Sequence, residues 1–591
     1  MHPRLTGKAR PLAAALLAAA TMTGLFVTAM SQAQAASTCS VQYQVANDWG
    51  TGATVNLTVT NGDTALTAWT LSFAFAGNQH VTQGWNGTYT QSGQNVTVAS
   101  TSYNGAVAGG ASFSTGFNLG YSGTNQAPTG FSLNGAACGG GGTTPPTSPT
   151  TPTTPTTPTT PTQPPAGGHV TNPFSGATPY LNPDYVQEVQ TQASADGSSA
   201  EASVATYQTA IWLDRISAIA GGSGKLGLQQ QMDNALAKAA NGPVTIEVVV
   251  YDLPGRDCAA LASNGELPAT AAGLSSYESQ FIDPIATILG ESRYTASNLR
   301  VVTIIEPDSL PNAVTNQSVQ ACSTATPLYE QGIEYALNKL HAIPNVYTYL
   351  DIAHSAWLGW SNNMTAAGQE YAKVARATTS GFASVDGFIS NTANYTPTTE
   401  PFLPNPTLQV GGQPLDSATF YQYNPYFDEH SYATAMYSTL VSSGFPSRVG
   451  FLIDTSRNGW GGPNRPGQLN SSPTTPNAYV AANKTDQRPF RGDWCNQNNA
   501  GIGARPQAAP FGSGDPVIAF VWIKPPGESD GDYPSGSHTH GDPHCDPAGT
   551  NTDGSGGTYG TGSLPGYDVP AGQWFAAEFQ QLVANAYPAI H

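Results

Sequence analysis

Apolar segments that end in carboxylates recur along the C-terminal two-thirds of this chain. In residues 299–308, β-branched side chains run into Glu306 and Asp308. Such a segment is typical of a buried parallel strand, and barrels of parallel strands carry their chemistry at the carboxyl ends. Four further segments repeat the pattern: 244–250 before Tyr251, Asp252, Arg256 and Asp257; 347–350 before Asp351 and His354; 451–453 before Asp454; and 517–522 before Lys524, Glu528 and Asp530. The pattern predicts five strands that bring acids and a few bases to one rim.

Composition limits the partners of this chain. Its 591 residues include 20 Lys and Arg against 38 Asp and Glu, a net charge of −18. Nucleic acids and anionic membranes bind basic surfaces, so we expect neither as a partner. Charged residues make up only 10% of the chain, which suits a secreted monomer that meets a neutral, hydroxyl-rich ligand. The length predicts at least two domains.

The N-terminus has the pattern of a secretory signal peptide. Arg4, Lys8 and Arg10 precede an apolar stretch, and Ala33 and Ala35 form a small-x-small cleavage site. An uncleaved membrane anchor is the alternative, but the apolar stretch is interrupted and the cleavage site follows it at once. We therefore expect residues 1–36 to be removed and the mature protein to be secreted and extracellular.

The six cysteines indicate disulfides, as is usual for an exported protein. Six thiols allow 15 pairings, and sequential pairing is the simplest: Cys39 with Cys138, Cys258 with Cys322, and Cys495 with Cys545. No Cys-x-x-Cys spacing is present, and the His-rich run 538–544 lacks the helical spacing of a metal site. We expect no metal and no cofactor.

A Thr- and Pro-rich tract divides the chain. Residues 139–169 begin with glycines and continue as a Thr-Thr-Pro repeat, a composition that forms an extended linker rather than a core. Ahead of it, residues 37–138 alternate apolar and polar side chains between Asn-Gly and Ser-Gly turns. About a hundred residues of short strands, with a cysteine at each end, predict a β-sandwich.

Aromatic side chains indicate what this small domain binds. Trp69 lies in an alternating strand and is expected in the core, whereas Trp49, Trp85 and Tyr103 have Gly, Asn, Asp or Ser neighbours. Isolated surface aromatics need no functional explanation. Three of them in polar turns of one small domain favour a flat platform on which sugar rings stack.

Four segments of this domain resemble a family 2 carbohydrate-binding module. They are 47–52 (NDWGTG), 69–73 (WTLSF), 81–85 (VTQGW) and 127–135 (APTGFSLNG). The resemblance covers 37–138 and implies that Trp49, Trp85 and Tyr103 grip crystalline cellulose. The family commonly has a third tryptophan where Tyr103 stands, and some of its members bind xylan, so xylan stays an alternative ligand.

Residues 170–591 alternate helical and strand patterns, with helical periodicity over 328–341 and a final helix over 571–586, which predicts an α/β barrel. Five segments of this region resemble glycoside hydrolase family 6, the inverting cellulases: 250–266 (VYDLPGRDCAALASNGE), 305–310 (IEPDSL), 349–360 (YLDIAHSAWLGW), 492–495 (GDWC) and 522–531 (WIKPPGESDG). The resemblance spans the whole domain and implies a distorted parallel barrel with fewer strands than eight.

The resemblance assigns roles to the strand-end carboxylates. Asp308 matches the proton donor, and its alternative is an N-cap of the next helix. Asp257 matches the carboxylate that raises the pKa of the donor and accepts the proton of water through a second water; its alternative is an ion pair with Arg256. Asp530, with Lys524 beside it, and Asp351 match residues with electrostatic or positioning roles. The direct base is left open.

The resemblance also implies a substrate-binding lining: Trp212, Asp214, Tyr251, Ser263, His354, Trp357, Asn394, Trp494, Lys524 and Glu528. Trp360 could equally belong to the core. Segments 455–494 and 525–567 are long for connections, and cellobiohydrolases of this family roof the cleft with such loops. We therefore expect release of cellobiose from non-reducing chain ends. An endoglucanase, a β-glucan or xylan specialist, and an inactive binding protein are the alternatives.

Overall fold

The structure is a computed structural model that describes residues 39–48, 50–62, 64–101, 104–138, 169–222, 224–260, 262–531, 542–552, 557–565 and 569–591. The proposed signal peptide, most of the linker, Trp49, Tyr103, His538 and His540 lie outside the described residues. The chain forms two compact units, one on each side of the linker tract. Each unit is described by itself.

The first unit is a β-sandwich, as predicted. Its strands are β1 Cys39–Asp48, β2 Gly52–Asn61, β3 Thr70–Ala74, β4 His80–Trp85, β5 Thr88–Ser92, β6 Asn95–Ala99, β7 Ser112–Gly120, β8 Thr129–Leu133 and β9 Ala136–Ala137. They form two antiparallel sheets, β1-β2-β7-β4 and β5-β6-β3-β8-β9. Apolar and polar residues alternate along the strands, and the apolar ones face the core. In β2, Val55, Leu57 and Val59 are fully buried and their neighbours along the strand are polar.

Aromatic side chains join the two sheets of this sandwich. Phe73 of β3 stacks on Phe117 of β7 with ring centroids 5.7 Å apart. Trp69 is buried, as predicted, and stacks on Phe113 at 4.3 Å. Its indole nitrogen donates to the carbonyl of Asn104 at 2.8 Å, so the one polar atom of this core ring is satisfied.

The second unit is an α/β barrel built on one large sheet. Its strands are β10 Thr178–Pro179, β11 Ile211–Leu213, β12 Gly221–Gly222, β13 Lys225–Leu226, β14 Val244–Val250, β15 Leu299–Ile305, β16 Val346–Asp351, β17 Gly387–Ser390, β18 Gln409–Val410, β19 Gln413–Pro414, β20 Gly450–Asp454, β21 Gln507–Ala508, β22 Val517–Val521, β23 Thr550–Thr552 and β24 Thr558–Gly560. The order in the main sheet is β10-β14-β15-β16-β17-β20-β22-β21, and β11 also pairs with β14. All pairs in the main sheet are parallel except β21 with β22. In addition, the described residues form three separate two-stranded sheets, β12-β13, β18-β19 and β23-β24.

Helices surround this sheet. They are α1 Pro183–Asp196, α2 Ser199–Val204, α3 Ile216–Ala220, α4 Leu228–Ala239, α5 Ala271–Ser276, α6 Asp283–Leu289, α7 Ser292–Thr295, α8 Ser309–Thr315, α9 Gln320–Leu340, α10 Ser355–Leu358, α11 Ser361–Ala377, α12 Glu429–Ser443, α13 Pro476–Asn483 and α14 Ala576–Ala584. A π-helical segment, Tyr277–Ile282, joins α5 to α6. The outward strand residues pack on the helices, as Val301 and Phe388 do.

The barrel is distorted where its first and last strands meet. The backbone N–H of Ala210, just before β11, donates to the carbonyl of Trp522, just after β22, at 3.2 Å. The Trp212 indole nitrogen donates to the carbonyl of Ile523 at 2.8 Å. These two hydrogen bonds take the place of the regular strand-to-strand ladder that would close the barrel. Inward residues such as Val249 and Leu452 form a separate core inside it.

The five strands predicted from the sequence are confirmed as β14, β15, β16, β20 and β22. The sequence interpretation missed β17, which has only four residues. It also began α9 at Leu328, whereas the helix begins at Gln320 and contains Pro327. The expected final helix over 571–586 is shorter, Ala576–Ala584.

The three sequential disulfides are confirmed, with Cys39 bonded to Cys138, Cys258 to Cys322 and Cys495 to Cys545. Cys495–Cys545 ties together two segments that are 50 residues apart in the chain. The described part of the chain contains no helix with the length and apolarity of a membrane span.

Substitution of Phe388 tests this packing. Phe388 is fully buried, with its ring 5.0 Å from Phe445, 5.4 Å from Phe451 and 6.0 Å from Tyr371. We expect Phe388→Ala to destabilise the second unit by about 3–5 kcal/mol. Leu469, which is half exposed, is the control, and Leu469→Ala should leave stability unchanged. In calorimetry only the transition of the second unit should shift; a shift below about 1 kcal/mol would contradict a packed core.

Candidate active site

The backbone is strained where the central strands end. Non-glycine residues with φ between 49° and 64° follow β14, β15, β16 and β17: Asp257, Glu306, Asp308, Ala353, Asn391 and Ala393. Such residues are uncommon and cost free energy. Their concentration at one rim marks it as the candidate site.

Asp308 stands at the start of α8. Its φ is 64°, and its side chain makes no capping hydrogen bond to the helix, so the capping alternative is not observed. Its backbone N–H donates to Oδ2 of Asp351 at 3.0 Å. Burial and then the negative charges of Asp257, Asp351 and Asp530 raise the pKa of Asp308 well above its ordinary value. Asp308 therefore favours the protonated form.

Asp257 is held by hydroxyl groups. The Tyr251 hydroxyl donates a short hydrogen bond to its Oδ2, and Ser263 provides another. Burial raises the pKa of Asp257, while these hydrogen bonds and the Arg256 guanidinium oppose the rise. At Asp308, by contrast, no hydrogen bond or cation among the described residues opposes the rise in pKa.

The guanidinium of Arg256 bonds to groups other than Asp257. Its guanidinium donates to the carbonyls of Ser263 at 2.8 Å and Asp214 at 2.6 Å. Its nearest carboxylate is Asp252, at 3.8 Å. The alternative interpretation of Asp257 as an ion-pair partner of Arg256 is therefore not observed.

Asp351 lies beneath the rim. It is buried, and its Oδ2 accepts the backbone N–H groups of Asp308 and Ala353 at 3.0 and 3.1 Å. Burial raises its pKa to about 6 although these hydrogen bonds oppose the rise. The carboxylate thus fixes the backbone that carries Asp308.

Asp530 is the carboxylate with cations beside it. Its oxygens lie 2.6 Å from Nη1 of Arg457 and 3.3 Å from Nζ of Lys524. The Tyr395 hydroxyl and the Asn496 backbone N–H donate to Oδ2 at 3.0 and 3.2 Å. Burial alone would raise the pKa of Asp530, but these cations and donors hold it below its ordinary value. Asp530 is therefore ionised.

A second carboxylate contacts Arg457 beside the Asp530–Arg457 ion pair. Glu578 of α14 is fully buried, 3.2 Å from Nη1 of Arg457 and 3.1 Å from the Tyr395 hydroxyl. Burial raises its pKa to about 7. Sequence reasoning missed Arg457, Tyr395 and Glu578. Arg457 alone had a usable signal, because it follows the end of β20 by three residues.

A cleft of about 1140 Å³ runs across the rim. Asp257, Asp308, Asp530 and all ten predicted substrate-binding residues line it: Trp212, Asp214, Tyr251, Ser263, His354, Trp357, Asn394, Trp494, Lys524 and Glu528. Trp360 also lines the cleft, so it does not belong to the core. Residues that the sequence did not indicate add to the lining: Lys225, Asn312, Asn363, Phe490, His544 and Gln573.

Hydrogen bonds hold the tryptophans of this cleft in place. The indole of Trp357 donates to the Thr315 hydroxyl at 2.8 Å, and that of Trp360 donates to the carbonyl of Gln422 at 2.9 Å. Fixed indoles present their faces without loss of side-chain freedom on binding.

His354 lines the same cleft. Burial and then Arg488 and Arg491 lower the pKa of His354 well below its ordinary value, so its ring is neutral.

Segments from distant parts of the chain meet beside the cleft. The backbone N–H of Ala262 donates to Oδ2 of Asp542 at 3.1 Å, which joins the loop after β14 to the segment after β22. The Trp494 and His544 rings lie 5.4 Å apart. We call residues 490–495, 542–552 and 557–565 the cover segments.

The cover segments support one another. The Phe490 and Tyr559 rings stack at 5.4 Å, and the Asn551 amide donates to Oδ1 of Asp493 at 2.5 Å. The hairpin β23–β24 therefore braces the segment that brings Phe490 and Trp494 to the cleft.

Comparison with known proteins agrees with this geometry. The family described as Glycosyl hydrolases family 6 matches residues 174–586. The chain belongs to this family. Residues 39–138 match the family described as Cellulose binding domain.

Relatives have similar domains. The chain is 51% identical over 433 residues to Exoglucanase A of Cellulomonas fimi, covering 71% of this chain and 49% of that protein, so it spans about half the length of that relative. It is 37% identical over 425 residues to Probable 1,4-beta-D-glucan cellobiohydrolase C of Aspergillus fumigatus, covering 71% of this chain and 79% of that one.

Solved structures have the same barrel. The catalytic domain of Cellulomonas fimi Cel6B is 50% identical with a TM-score of 0.68, covering 72% of this chain and 97% of that one. The catalytic core domain of the cellobiohydrolase Cel6A from Chaetomium thermophilum is 33% identical with a TM-score of 0.56, covering 71% and 99%.

No cluster of three or more His, Cys, Asp or Glu suited to a metal ion occurs among the described residues. Of the His-rich run, His544 is described. Its ring pairs with Oδ1 of Asp542 at 2.8 Å and faces Trp494.

Removing the Arg457 cation tests the electrostatics around Asp530. Arg457→Met removes the cation that Asp530 and Glu578 share and leaves only Lys524 beside Asp530, so we expect a loss of about 3–5 kcal/mol of stability at about pH 7. In the wild type, the depressed pKa of Asp530 stabilises the fold above the ordinary carboxyl pKa, and this contribution is lost as pH falls. The loss in the variant should therefore shrink as pH falls below about 4.

Calorimetry of both proteins at several pH values measures this difference. Arg293→Met, at an exposed ion pair, is the control and should have little effect. A pH-independent loss in Arg457→Met would indicate that Arg457 contributes packing rather than charge.

Proposed function

We propose that this protein is a secreted cellulase that hydrolyses β-1,4-glucosidic bonds with inversion and releases cellobiose from non-reducing chain ends. The observation that carries the proposal is the environment of Asp308. It is a strand-end carboxyl whose pKa is raised by burial and by three neighbouring carboxylates, within a cleft lined by tryptophans. Glycoside hydrolysis requires such an acid.

The lining favours a glucan chain as substrate. Indole faces stack on the apolar faces of sugar rings, while Asp214, Asn394, Lys524 and Glu528 offer hydrogen bonds to hydroxyls. Burial raises the pKa of Glu528 to about 7, so this carboxyl can also donate. The names of the relatives, an exoglucanase and a cellobiohydrolase, support a β-1,4-glucan.

Protonated Asp308 acts as the general acid in this proposal. It gives its proton to the glycosidic oxygen as the bond to the anomeric carbon breaks. The ionised Asp530 and, from beneath the rim, Asp351 stabilise the positive charge that develops on the sugar. Each neighbouring negative charge also raises the pKa of Asp308, so the carboxylates around it keep its proton in place until the bond breaks.

Water completes the reaction from the opposite face of the sugar. We infer that its proton passes through a second water to Asp257. The Tyr251 hydroxyl, hydrogen-bonded to Asp257, and Ser263 position the central sugar and the attacking water. One displacement without a covalent intermediate inverts the anomeric configuration.

The cover segments favour action at chain ends. Phe490, Trp494 and His544 line the cleft, and the hydrogen bond of Ala262 to Asp542 joins two segments beside it. We infer that these groups enclose a bound chain. An enclosed cleft admits a chain by its end and retains it between cuts. Release of cellobiose, rather than of random fragments, follows from this enclosure.

The first unit retains the enzyme on its substrate. Trp85 is half-buried at the end of β4, and it forms the cellulose-binding platform together with Trp49 and Tyr103. The three disulfides suit export to an oxidising environment. A platform linked to the cleft raises the local concentration of cellulose at the enzyme.

Replacing Asp308 tests its role as the acid. We expect Asp308→Ala to lower the rate on amorphous cellulose by about 10²–10⁴-fold. A cellobioside with a dinitrophenyl leaving group needs no protonation, so its hydrolysis should fall much less. Asp233→Ala, on the surface, is the control and should match the wild type. Equal loss on both substrates would contradict the acid role and assign Asp308 to binding or folding.

Shortening the cover tests the exo mode. The Thr561 hydroxyl donates to the carbonyl of Asp546 at 2.7 Å, so these two residues lie close together. Deletion of residues 547–560 can therefore join Asp546 directly to Thr561, and it keeps the Cys495–Cys545 disulfide. Without the brace on Phe490, the variant should cut carboxymethylcellulose internally more often. The measurement is the fall in viscosity per reducing end formed. An unchanged ratio, or a wild type that already cuts internally, would favour an endoglucanase.

A further inference from the structure

The outer face of one sheet of the first unit carries a second ring beside Trp85. Strand β4 pairs with β7, with His80 opposite Gly120 and Trp85 opposite Gly116. Trp85 lies five positions after His80, so a regular strand would place them on opposite faces. The register shifts between Val81 and Gln83, and this bulge places His80 and Trp85 on the same face.

The side chains of β7 show which face this is. Phe117 and Leu119 are buried in the sandwich core. Gly116, Asn118 and Gly120 alternate with them and therefore point outward. The cross-strand partners of these three residues, Trp85, Gln83 and His80, share the outward face.

Gly116 and Gly120 of β7 leave space for the Trp85 and His80 rings, and we call each of these spaces a seat. A Cβ atom added to Gly116 would lie 2.4 Å from the Trp85 indole, and one added to Gly120 would lie 2.6 Å from the His80 imidazole. Both rings thus lie close against backbone that carries no side chain. A ring seated in this way is held against the sheet, with its other face toward solvent.

Amide groups lie between the two rings. Gln83 is exposed and stands opposite Asn118. Oδ1 of Asn118 accepts from the Thr54 hydroxyl at 2.8 Å, which fixes the orientation of this amide. The face therefore presents a ring, a pair of amides and a second ring in a row across β4 and β7.

The chemistry of His80 suits a sugar ligand. It is exposed, and its ring nitrogens have no hydrogen-bond partner among the residues that the structure describes. It is also the only Lys, Arg or His in residues 39–138 of the sequence. An imidazole offers a flat face for stacking and a nitrogen for a sugar hydroxyl.

We propose that His80 is a further polysaccharide-binding residue and extends the platform of the first unit beyond Trp85. A glucan chain lying along β4 and β7 contacts the Trp85 indole, the Gln83 and Asn118 amides and the His80 imidazole in turn. This inference rests on the proposed binding of cellulose by the first unit. It adds a contact that holds the chain at a second point, which limits rotation about Trp85.

Retention of the full-length protein on microcrystalline cellulose tests the proposal. We expect His80→Ala to lower the partition coefficient by about threefold to tenfold, which corresponds to the loss of one ring contact. His80→Trp should raise it, because the seat over Gly120 can hold a larger ring. Thr90→Ala, on the exposed edge of the other sheet, is the matched control and should match the wild type.

Gly120→Ala provides an independent variant that keeps His80. The added methyl occupies the seat of the imidazole, so retention should fall as in His80→Ala. Calorimetry of each variant shows whether the first unit is still folded, and hydrolysis of soluble cellooligosaccharides should be unchanged. If Gly120→Ala does not fold, the His80 variants decide alone.

The outcomes separate this inference from the function on which it rests. Loss of retention in Trp85→Ala with wild-type retention in His80→Ala and no gain in His80→Trp would overturn the role of His80 and leave the platform in place. A wild-type protein that is not retained at all would overturn cellulose binding itself.

Discussion

The structure depends on the burial of several carboxyl groups at one edge of a parallel sheet. Asp257, Asp308, Asp351 and Asp530 converge there, and the cations in contact with them, Arg457 and Lys524, lie on the side of Asp530. Burial and like charge favour neutral carboxyls, whereas the cations keep Asp530 ionised. One arrangement therefore produces a protonated acid beside a permanent negative charge, and the proposed reaction needs both.

The fold fixes the position of Asp308 through the backbone of that residue. Asp308 follows β15 in a left-handed conformation, and Asp351 at the end of β16 accepts its backbone N–H. The rigid strands hold this strained geometry in place. The cover segments bring Phe490, Trp494 and His544 to the same rim. The position of the acid and its protonation thus have a common structural origin.

Much of this could be predicted from the sequence, for identifiable reasons. Continuous β-branched segments predicted the central strands, and acids at their ends predicted the rim, because both signals are local. The four residues of β17 were too few to give such a signal. Tyr395 and Glu578 were missed because their contacts join the segments after β17 and β22 to α14 across the fold. His80 was missed because only a register shift of one residue brings it to the face of Trp85.

The central claim is that Asp308 keeps its proton in the free enzyme while exposed carboxyls are ionised. The most direct measurement is the infrared difference spectrum between the wild type and Asp308→Ala across the acid and neutral pH range. We expect a protonated-carboxyl stretch at about pH 6, absent from the variant, that disappears only well above the ordinary carboxyl pKa of about 4. A band that titrates near pH 4, or no difference band at all, would contradict the account.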